Sequence, residues 1–352
     1  MQKGKMNICF GGQAGSEAKG KQAAYLVEKF GINVVAGCLS PNAGHTAIVG
    51  GKKLVTHHVP VGVAGVRNKE YANIVIGPAA VINVTKFEQE MKMLGDWGIS
   101  RDQVVIDYRA SVITQTHINR EMEGMTKIGS TAQGVGLARS DRIMRKGIRM
   151  DSMVTDLNLR DTSYLIKEEL RYGRTVMYEM GQGFDLCIDH GVSPVFCTSR
   201  NCTPMQAMAD MGVPPKFLGD TYAVIRSYPI RVNNRDGSSG PYPSDEITWE
   251  EIQKRCGAPQ DITEITTTTK LMRRVFEFSF GRVKDMVEMC DPTFLCLQFA
   301  NYIDWECYRR RDGYGDKVRK FVEEVERITG KPVAYVGTGP EQEAMVDLGV
   351  DL

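Results

Sequence analysis

The sequence predicts an α/β fold, and three observations carry that reading. Short apolar runs of strand length alternate with stretches of helical apolar spacing from one end to the other. Several of those runs lead straight into glycine-rich loops, as at residues 11–15, 37–46, 181–183 and 337–341. No internal repeat, low-complexity tract or linker interrupts the 352 residues, so a single domain over 1–352 is expected.

In chain order, residues 8–10 read as a buried strand, residues 11–15 as a loop, and the spacing of Ala23, Ala24, Leu26 and Val27 as a helix from Lys19. Strand, glycine loop and helix N-terminus together present backbone N–H groups to phosphate. Gly15 to Lys21 fits the G-x-x-x-x-G-K of a P-loop, but Gln22 stands where Ser or Thr would hold magnesium. The motif is phosphate-binding in style without being an ordinary P-loop; a plain βα turn is the bland alternative.

Residues 33–36 form the next strand and run into the loop 37–46. There His45, between Gly44 and Thr46 and near Asn42, can stabilise or protonate a phosphoryl oxygen, although a lone loop histidine is more often simply solvated. Open α/β sheets bind ligands at the strands' C-terminal ends, which puts this loop beside the first. Strands are expected at 54–58, 74–76 and 104–108, with a helix over 86–94. The loop 128–136 offers hydroxyls and backbone donors, and Arg139, Arg142, Arg145, Lys146 and Arg149 follow it as a solvated basic face or an anion contact. A helix is expected over 161–173, with Thr162 or Ser163 as N-cap and Gly173 as its stop.

The strand 175–178 leads into 181–183, and 195–198 leads into the polar loop 199–201. Residues 221–232 read as one long strand, and 233–245 as a loop of functional length. Thr266 to Thr269 with Arg273 and Arg274 supply hydroxyls and guanidinium forks suited to carboxylates. A strand at 294–299, a helix with an apolar face from Val318 to Ile328 stopped by Gly330, and a strand at 333–336 complete the chain.

Composition bounds the partners. Hydrophobic residues at 42% and charged residues at 25% are ordinary for a soluble globular protein. A net charge of +1 gives no sign of a nucleic-acid or membrane-surface partner. The 9 cysteines include no C-x-x-C pair and the 5 histidines fall outside metal-ligand spacing, which predicts free thiols, no zinc site and a reducing compartment. With no signal segment and no long apolar run, a cytoplasmic protein is expected, in a host cytoplasm if the chain is viral.

These loops, in this order, resemble adenylosuccinate synthetases along nearly the whole chain. The family's first motif, Gly-Gln-Trp-Gly-Asp-Glu-Gly-Lys-Gly-Lys, stands here as residues 12–21 with Ala14 at the tryptophan, Ser16 at the aspartate and Ala18 at a glycine. Residues 42–46, Asn-Ala-Gly-His-Thr, match unchanged, and 129–136, 182–183, 188–191, 240–243 and 338–340 follow in register. The resemblance implies a large, mostly parallel sheet flanked by helices, P-loop-related, in a homodimer. It implies a ligase that phosphorylates the 6-oxygen of a purine monophosphate and displaces that phosphate with the amine of L-aspartate. Ser16, Lys19 and His45 would be the catalytic residues. Gly15, Glu17, Ala18, Gly20, Lys21, Gly44, Thr46, Gln298, Asn301, Gly337, Gly339 and Pro340 would hold the phosphoryl donor. Ser16, Asn42, Ser130, Thr131, Gln182 and Thr198 would hold the monophosphate, with Arg145 reaching across the dimer. Val232, Thr268, Thr269 and Arg273 would bind aspartate, and Ser16 and Gly44 would contribute to a Mg2+ site.

Three departures from the family pattern point one way. Ser16 replaces the aspartate that acts as base on IMP; a hydroxyl cannot take that role, but it leaves room for a 2-amino group. Phe299 and Asn301 fall where a lysine and an aspartate read guanine, which suits an adenine donor. Leu271 replaces an arginine that reaches the ribose 2′-hydroxyl, which suits a deoxy substrate. The expectation is the phage branch of the family, using dGMP, L-aspartate and ATP or dATP to make N6-succino-2-amino-2′-deoxyadenylate. The alternatives are a GTP-dependent enzyme acting on IMP and an inactive nucleotide-binding dimer.

Overall fold

The computed structural model describes residues 1–234, 238–266 and 270–350. Its centre is a 10-stranded sheet. In chain order the strands are β1 Met6–Gly11, β2 Val34–Gly37, β3 Asn73–Ile76, β4 Val104–Asp107, β5 Leu159–Arg160, β6 Val176–Glu179, β7 Leu218–Arg226, β8 Phe294–Gln298, β9 Val333–Gly337 and β10 Met345–Asp347. Across the sheet they run β10-β9-β8-β7-β1-β6-β2-β3-β4-β5. Only the edge pair β9/β10 is antiparallel; every other neighbouring pair is parallel. The α/β expectation and the mostly parallel sheet are both met.

Alternation along β1 shows how the sheet is buried on both faces. Ile8 and Phe10 join one core with Ala36, Val75 and Ala223, while Cys9 joins the other with Val35, Ile74 and Val224. Strands covered on both faces are therefore apolar along most of their length, which is why the sequence showed short runs in place of alternation. The helix α1, Lys19–Phe30, packs Ala23, Leu26 and Val27 into the second core and stops at Gly31, whose φ of 62° is open to glycine. All 9 cysteines are free.

Four local expectations change. His45 does not lie in a loop: it opens the strand His45–Val49, which pairs antiparallel with Lys52–Thr56. The helix Thr162–Arg171 is capped by the Asp161 carboxylate, which accepts from the Tyr164 N–H at 2.9 Å, so neither Thr162 nor Ser163 is the cap. The strand expected over 221–232 ends at Arg226 and a separate short strand, Ile230–Arg231, begins after Pro229, which has no N–H to donate to a ladder. Residues 195–198 form no strand.

Because β1, β2, β6, β7, β8 and β9 are parallel, their C-terminal ends share one edge of the sheet. The loops at 12–18, 38–44, 180–183 and 338–340 converge there, as open α/β sheets lead one to expect.

Candidate active site

A cavity of about 900 Å³ opens at that edge. Its walls come from the loop before α1, the 42–46 segment, the 128–136 loop, the 194–199 loop, and the ends of β8 and β9. Each sequence motif thus reaches one space through its own strand end.

The first loop is held open by an internal carboxylate. Glu17 is fully buried, and its side chain accepts from the backbone N–H of Gln13 (3.2 Å) and Gly15 (2.7 Å) and from Lys19 Nζ (2.6 Å). Ser16 and Ala18 on either side take φ values of 58° and 66°. That alternation turns Ser16 and Ala18 toward the cavity and Glu17 away from it. Gly183 allows the neighbouring loop to close over this carboxylate, since a Cβ there would lie 2.1 Å from the Gln13 carbonyl and 2.5 Å from Glu17 Oε1.

His45 and Lys19 reach the cavity from different elements. Gly20 lets α1 press against the hairpin: a Cβ at that position would meet Val61 at 2.4 Å and the Thr46 carbonyl at 2.8 Å. His45 Nδ1 lies 2.7 Å from Glu179 Oε1, and Glu179 Oε2 accepts from the Gly62 N–H at 3.1 Å. Both side chains are buried. A carboxylate only accepts, so Nδ1 carries the proton and Nε2 is the nitrogen left for a ligand.

Below Ser16 lies a buried charge cluster. The fully buried Arg226 donates to the Ser16 carbonyl at 3.1 Å and to Glu264 at 2.5 Å, and its guanidinium sits 4.0 Å from the centre of the Phe299 ring. Glu264 also accepts from Arg273 at 2.6 Å and from the Tyr302 hydroxyl at 3.2 Å. Burial alone would raise the Glu264 carboxyl, but Arg226 and Arg273 outweigh it and hold the group below the usual carboxylate range. Gln22, which failed the P-loop test, accepts from Gln298 Nε2 at 2.8 Å inside the protein. Its position serves packing between α1 and β8.

The adenylosuccinate synthetase family model matches residues 8–160 and 154–305. The adenylosuccinate synthetase of Methanocaldococcus jannaschii is 31% identical, with 98% of this chain and 97% of that protein covered. The N6-succino-2-amino-2′-deoxyadenylate synthase of Vibrio phage phiVC8 is 32% identical over 93% of this chain and 94% of its own. This chain belongs to the adenylosuccinate synthetase family.

Among solved structures, cyanophage S-2L succinoaminodeoxyadenylate synthetase bound to dGMP and dATP superposes with a TM-score of 0.83 at 27% identity, covering 98% of this chain and 96% of that one. The fully ligated adenylosuccinate synthetase of Plasmodium falciparum shares the fold, with the same TM-score of 0.83 at 19% identity, covering 98% and 99%. Like other adenylosuccinate synthetase family members, the chain is a nucleotide-binding ligase of purine biosynthesis that forms a C–N bond with aspartate.

Most residues picked out by the family resemblance line the cavity: Gly15, Ser16, Ala18, Lys19, Gly20, Lys21, Asn42, Gly44, His45, Thr46, Ser130, Thr131, Gln182, Thr198, Val232, Arg273, Gln298, Gly339 and Pro340. Others do not. Glu17 is enclosed beneath the first loop. Gly337 lies behind Gln298 and Lys21, where a Cβ would strike the Gln298 side chain at 1.9 Å. Asn301 is buried in the single turn Ala300–Tyr302, so Phe299 and not Asn301 forms the wall there. Arg145 is exposed, away from this chain's cavity, with a φ of 62°. Thr268 and Thr269 lie outside the described residues.

Lys21 needs a correction of role. Its ammonium donates to the carbonyls of Gly339 (2.7 Å) and Ala344 (2.9 Å), so two of its three N–H groups brace the 337–340 loop and at most one is left for a phosphate. Burial pushes it down to about 7. Arg274 likewise pairs with Glu246 and donates to the Gly240 carbonyl at 2.8 Å; of the two adjacent arginines, Arg273 is the one on the cavity wall.

Sequence reading missed Glu179, Arg226 and Glu264, each buried or enclosed at the foot of the site. The one available signal was for Glu179, an acid at the end of an otherwise apolar strand just before Gly181. Nothing in the local sequence marks the other two.

Proposed function

We propose that this ligase joins L-aspartate to C6 of dGMP, with ATP or dATP as phosphoryl donor, giving N6-succino-2-amino-2′-deoxyadenylate, a nucleoside diphosphate and phosphate. The observation that carries the reading is Ser16. It stands on the cavity wall beside Lys19, and the acid next to it, Glu17, is turned inward and committed to the loop. Among the described residues lining the cavity the only acid is Glu121, which accepts from the backbone N–H groups of Gly134 and Gly136 on the far wall. A site emptied of its carboxylate at this point has room for the 2-amino group beside N1 of guanine. The similarity to two phage enzymes named for this product supports the same reading.

The residues then divide the work. Lys19 and the N–H groups at the start of α1 draw in the γ-phosphoryl group, and the transfer to O6 turns a poor leaving group into phosphate. His45, oriented by Glu179 and acting as an imidazolium with both ring nitrogens donating, donates from Nε2 to a phosphoryl oxygen and stabilises the charge that develops there. The amine of aspartate, its carboxylate held by Arg273 near Val232, attacks C6 and expels phosphate. Asn42, Ser130, Thr131, Gln182 and Thr198 hold the monophosphate; Gly339, Pro340, Gln298 and Phe299 face the donor.

The donor set suits Mg2+. Among the described residues no three His, Cys, Asp or Glu side chains gather to cage a metal, whereas Ser16 and Gly44 offer neutral oxygens on the phosphate side of the cavity. Magnesium is commonly held in this way, by substrate phosphates and few protein oxygens, and when bound it neutralises phosphate charge. The enzyme works as a homodimer of single-domain chains in the cytoplasm, with Arg145 of each reaching the other's cavity; no helix of the described residues is long and apolar enough to cross a membrane.

The second reading, a GTP-dependent enzyme acting on IMP, is favoured by the archaeal synthetases at 31% to 33% identity. Crossing IMP, GMP and dGMP against ATP, dATP and GTP, with aspartate and magnesium present, decides between them by phosphate release and product mass. Turnover is expected with dGMP and an adenine donor. Turnover confined to IMP with GTP overturns the proposal.

A further inference from the structure

A small recess opens off the cavity behind Asn42, Gln182 and Thr198; His45 borders it, and Ser40, Arg139 and Arg200 are among its other walls. At about 10 Å³ it admits one oxygen-sized atom and nothing larger. Hydroxyls, side-chain amides, the His45 ring and two guanidinium groups surround it, with Val135 the one large apolar side chain, which is an environment for an anionic oxygen.

The charges in the recess do not balance. Arg200 is buried and paired with Asp210 at 3.1 Å. Arg139 has no ion-pair partner among the described residues; one N–H of its fork goes to the Ala79 carbonyl at 3.1 Å. It comes from the helix Val135–Ile143, directly after the 128–136 loop. Burial, and next the charge of Arg200, pull its guanidinium down from the ordinary arginine value, and Asp210, already paired with Arg200, offsets this only in part. A half-buried cation facing a second cation is unfavourable until an anion joins them.

We propose that the recess takes one oxygen of the 5′-phosphate of the monophosphate substrate, and that Arg139 of the same subunit neutralises it. The inference rests on the nucleotide-site reading above and adds a residue to it. The phosphorus and remaining oxygens sit in the main cavity against Asn42, Thr198 and Gln182, so the monophosphate is gripped within one chain before any residue of a partner subunit reaches it. Arg139 thereby discriminates nucleotide from nucleoside, because a 5′-hydroxyl brings no charge to the recess.

Binding of dGMP and of deoxyguanosine to the full-length protein, Arg139→Met and Arg139→Lys, measured by titration calorimetry, tests this. Loss of a charge-assisted hydrogen-bonded pair is expected to weaken dGMP by about 10- to 100-fold in Arg139→Met. Deoxyguanosine should move less than about 3-fold, within the range of ordinary surface changes. Arg139→Lys keeps the charge without the fork and should recover part of the loss. Equal weakening of nucleotide and nucleoside, or no weakening of either, overturns the inference and leaves the recess to water. Should Arg139→Met fail to fold, as thermal melting would show, the lysine variant alone decides by the same ratio. If the protein binds IMP and not dGMP, the proposed substrate is wrong but Arg139 is still judged, with IMP against inosine.

Discussion

Replacing Glu179 by glutamine separates its orienting role from its packing. The side chain is almost isosteric, so the β6 strand end keeps its shape. The carboxylate accepts from His45 Nδ1 at 2.7 Å and from the Gly62 N–H at 3.1 Å, whereas an amide has one oxygen for these two donors. If the amide oxygen stays with His45, the Gly62 N–H meets an NH2 group, and a buried donor left unpaired costs about 1–3 kcal/mol of stability. To donate from Nε2 while Nδ1 donates to Glu179, the histidine carries a positive charge in the reaction, and a neutral partner no longer supports that charge. A charge-assisted hydrogen bond contributes about 1.5–3 kcal/mol, which places the fall in kcat at roughly 10- to 150-fold. The KM values for monophosphate, aspartate and donor should change little, since neither Glu179 nor the charge on His45 is needed to bind them. Steady-state phosphate release gives kcat and each KM, and thermal melting gives the stability loss. An unchanged kcat, or raised KM values at constant kcat, would refute the assignment of His45 and Glu179 as a transition-state pair.

Two further substitutions probe the floor of the site. Ser16→Asp restores the family carboxylate on the cavity wall; crowding against the 2-amino group should lower kcat/KM for dGMP by about 5- to 150-fold, the effect of an overpacked contact, and an unchanged or faster rate with dGMP would show that Ser16 does not set the substrate. Asp185→Asn addresses pH dependence. Asp185 is fully buried, accepts from Arg282 Nε at 2.6 Å and the Tyr242 hydroxyl at 2.9 Å, and burial raises it to about 6 despite the arginine. A carboxyl raised on folding makes the folded chain bind more protons between about 4 and 6, so its contribution is favourable below that window and is lost as pH rises through it, by about 3 kcal/mol in all. Urea midpoints from pH 4 to 7 should fall more steeply with pH in the parent than in Asp185→Asn, and parallel slopes would disprove the assignment.

What the sequence could reveal follows from which interactions are local. The strand ends were legible because a strand buried on both faces reads as a short apolar block, and a glycine loop must follow where a backbone turns sharply onto a helix. The family motifs lie in those loops, so Lys19, His45 and Ser16 could be placed at one sheet edge before any coordinates. The break at Arg226 was hidden because Ser227, Tyr228 and Pro229 continue a pattern that tolerates a strand until Pro229 removes a donor. Likewise Asn301 lies only two residues past the wall residue Phe299, but the backbone takes a φ of 61° at Phe299 and turns the next residues into the core. Ser227, just past the end of β7 and 72 positions earlier, ties that reversal down, its hydroxyl donating to the Phe299 carbonyl at 2.8 Å.

The same distance in sequence explains why Arg226 and Glu264 went unread, and what they do together. Arg226 ends β7, Glu264 belongs to the segment before Arg273, and Ser16 follows β1; only the sheet order β8-β7-β1 brings them into contact. One guanidinium then touches the substrate-selecting loop through the Ser16 carbonyl, the donor wall through Phe299, and the aspartate-binding arginine through Glu264. Removing the Glu264 charge would strand the fully buried Arg226 and the half-buried Arg273 at once, a situation far less favourable than the loss of an exposed pair. The family departures at Ser16 and Phe299 therefore share a single buried support. Changing substrate and donor specificity in this chain involves that support as well as the two residues that face the ligands.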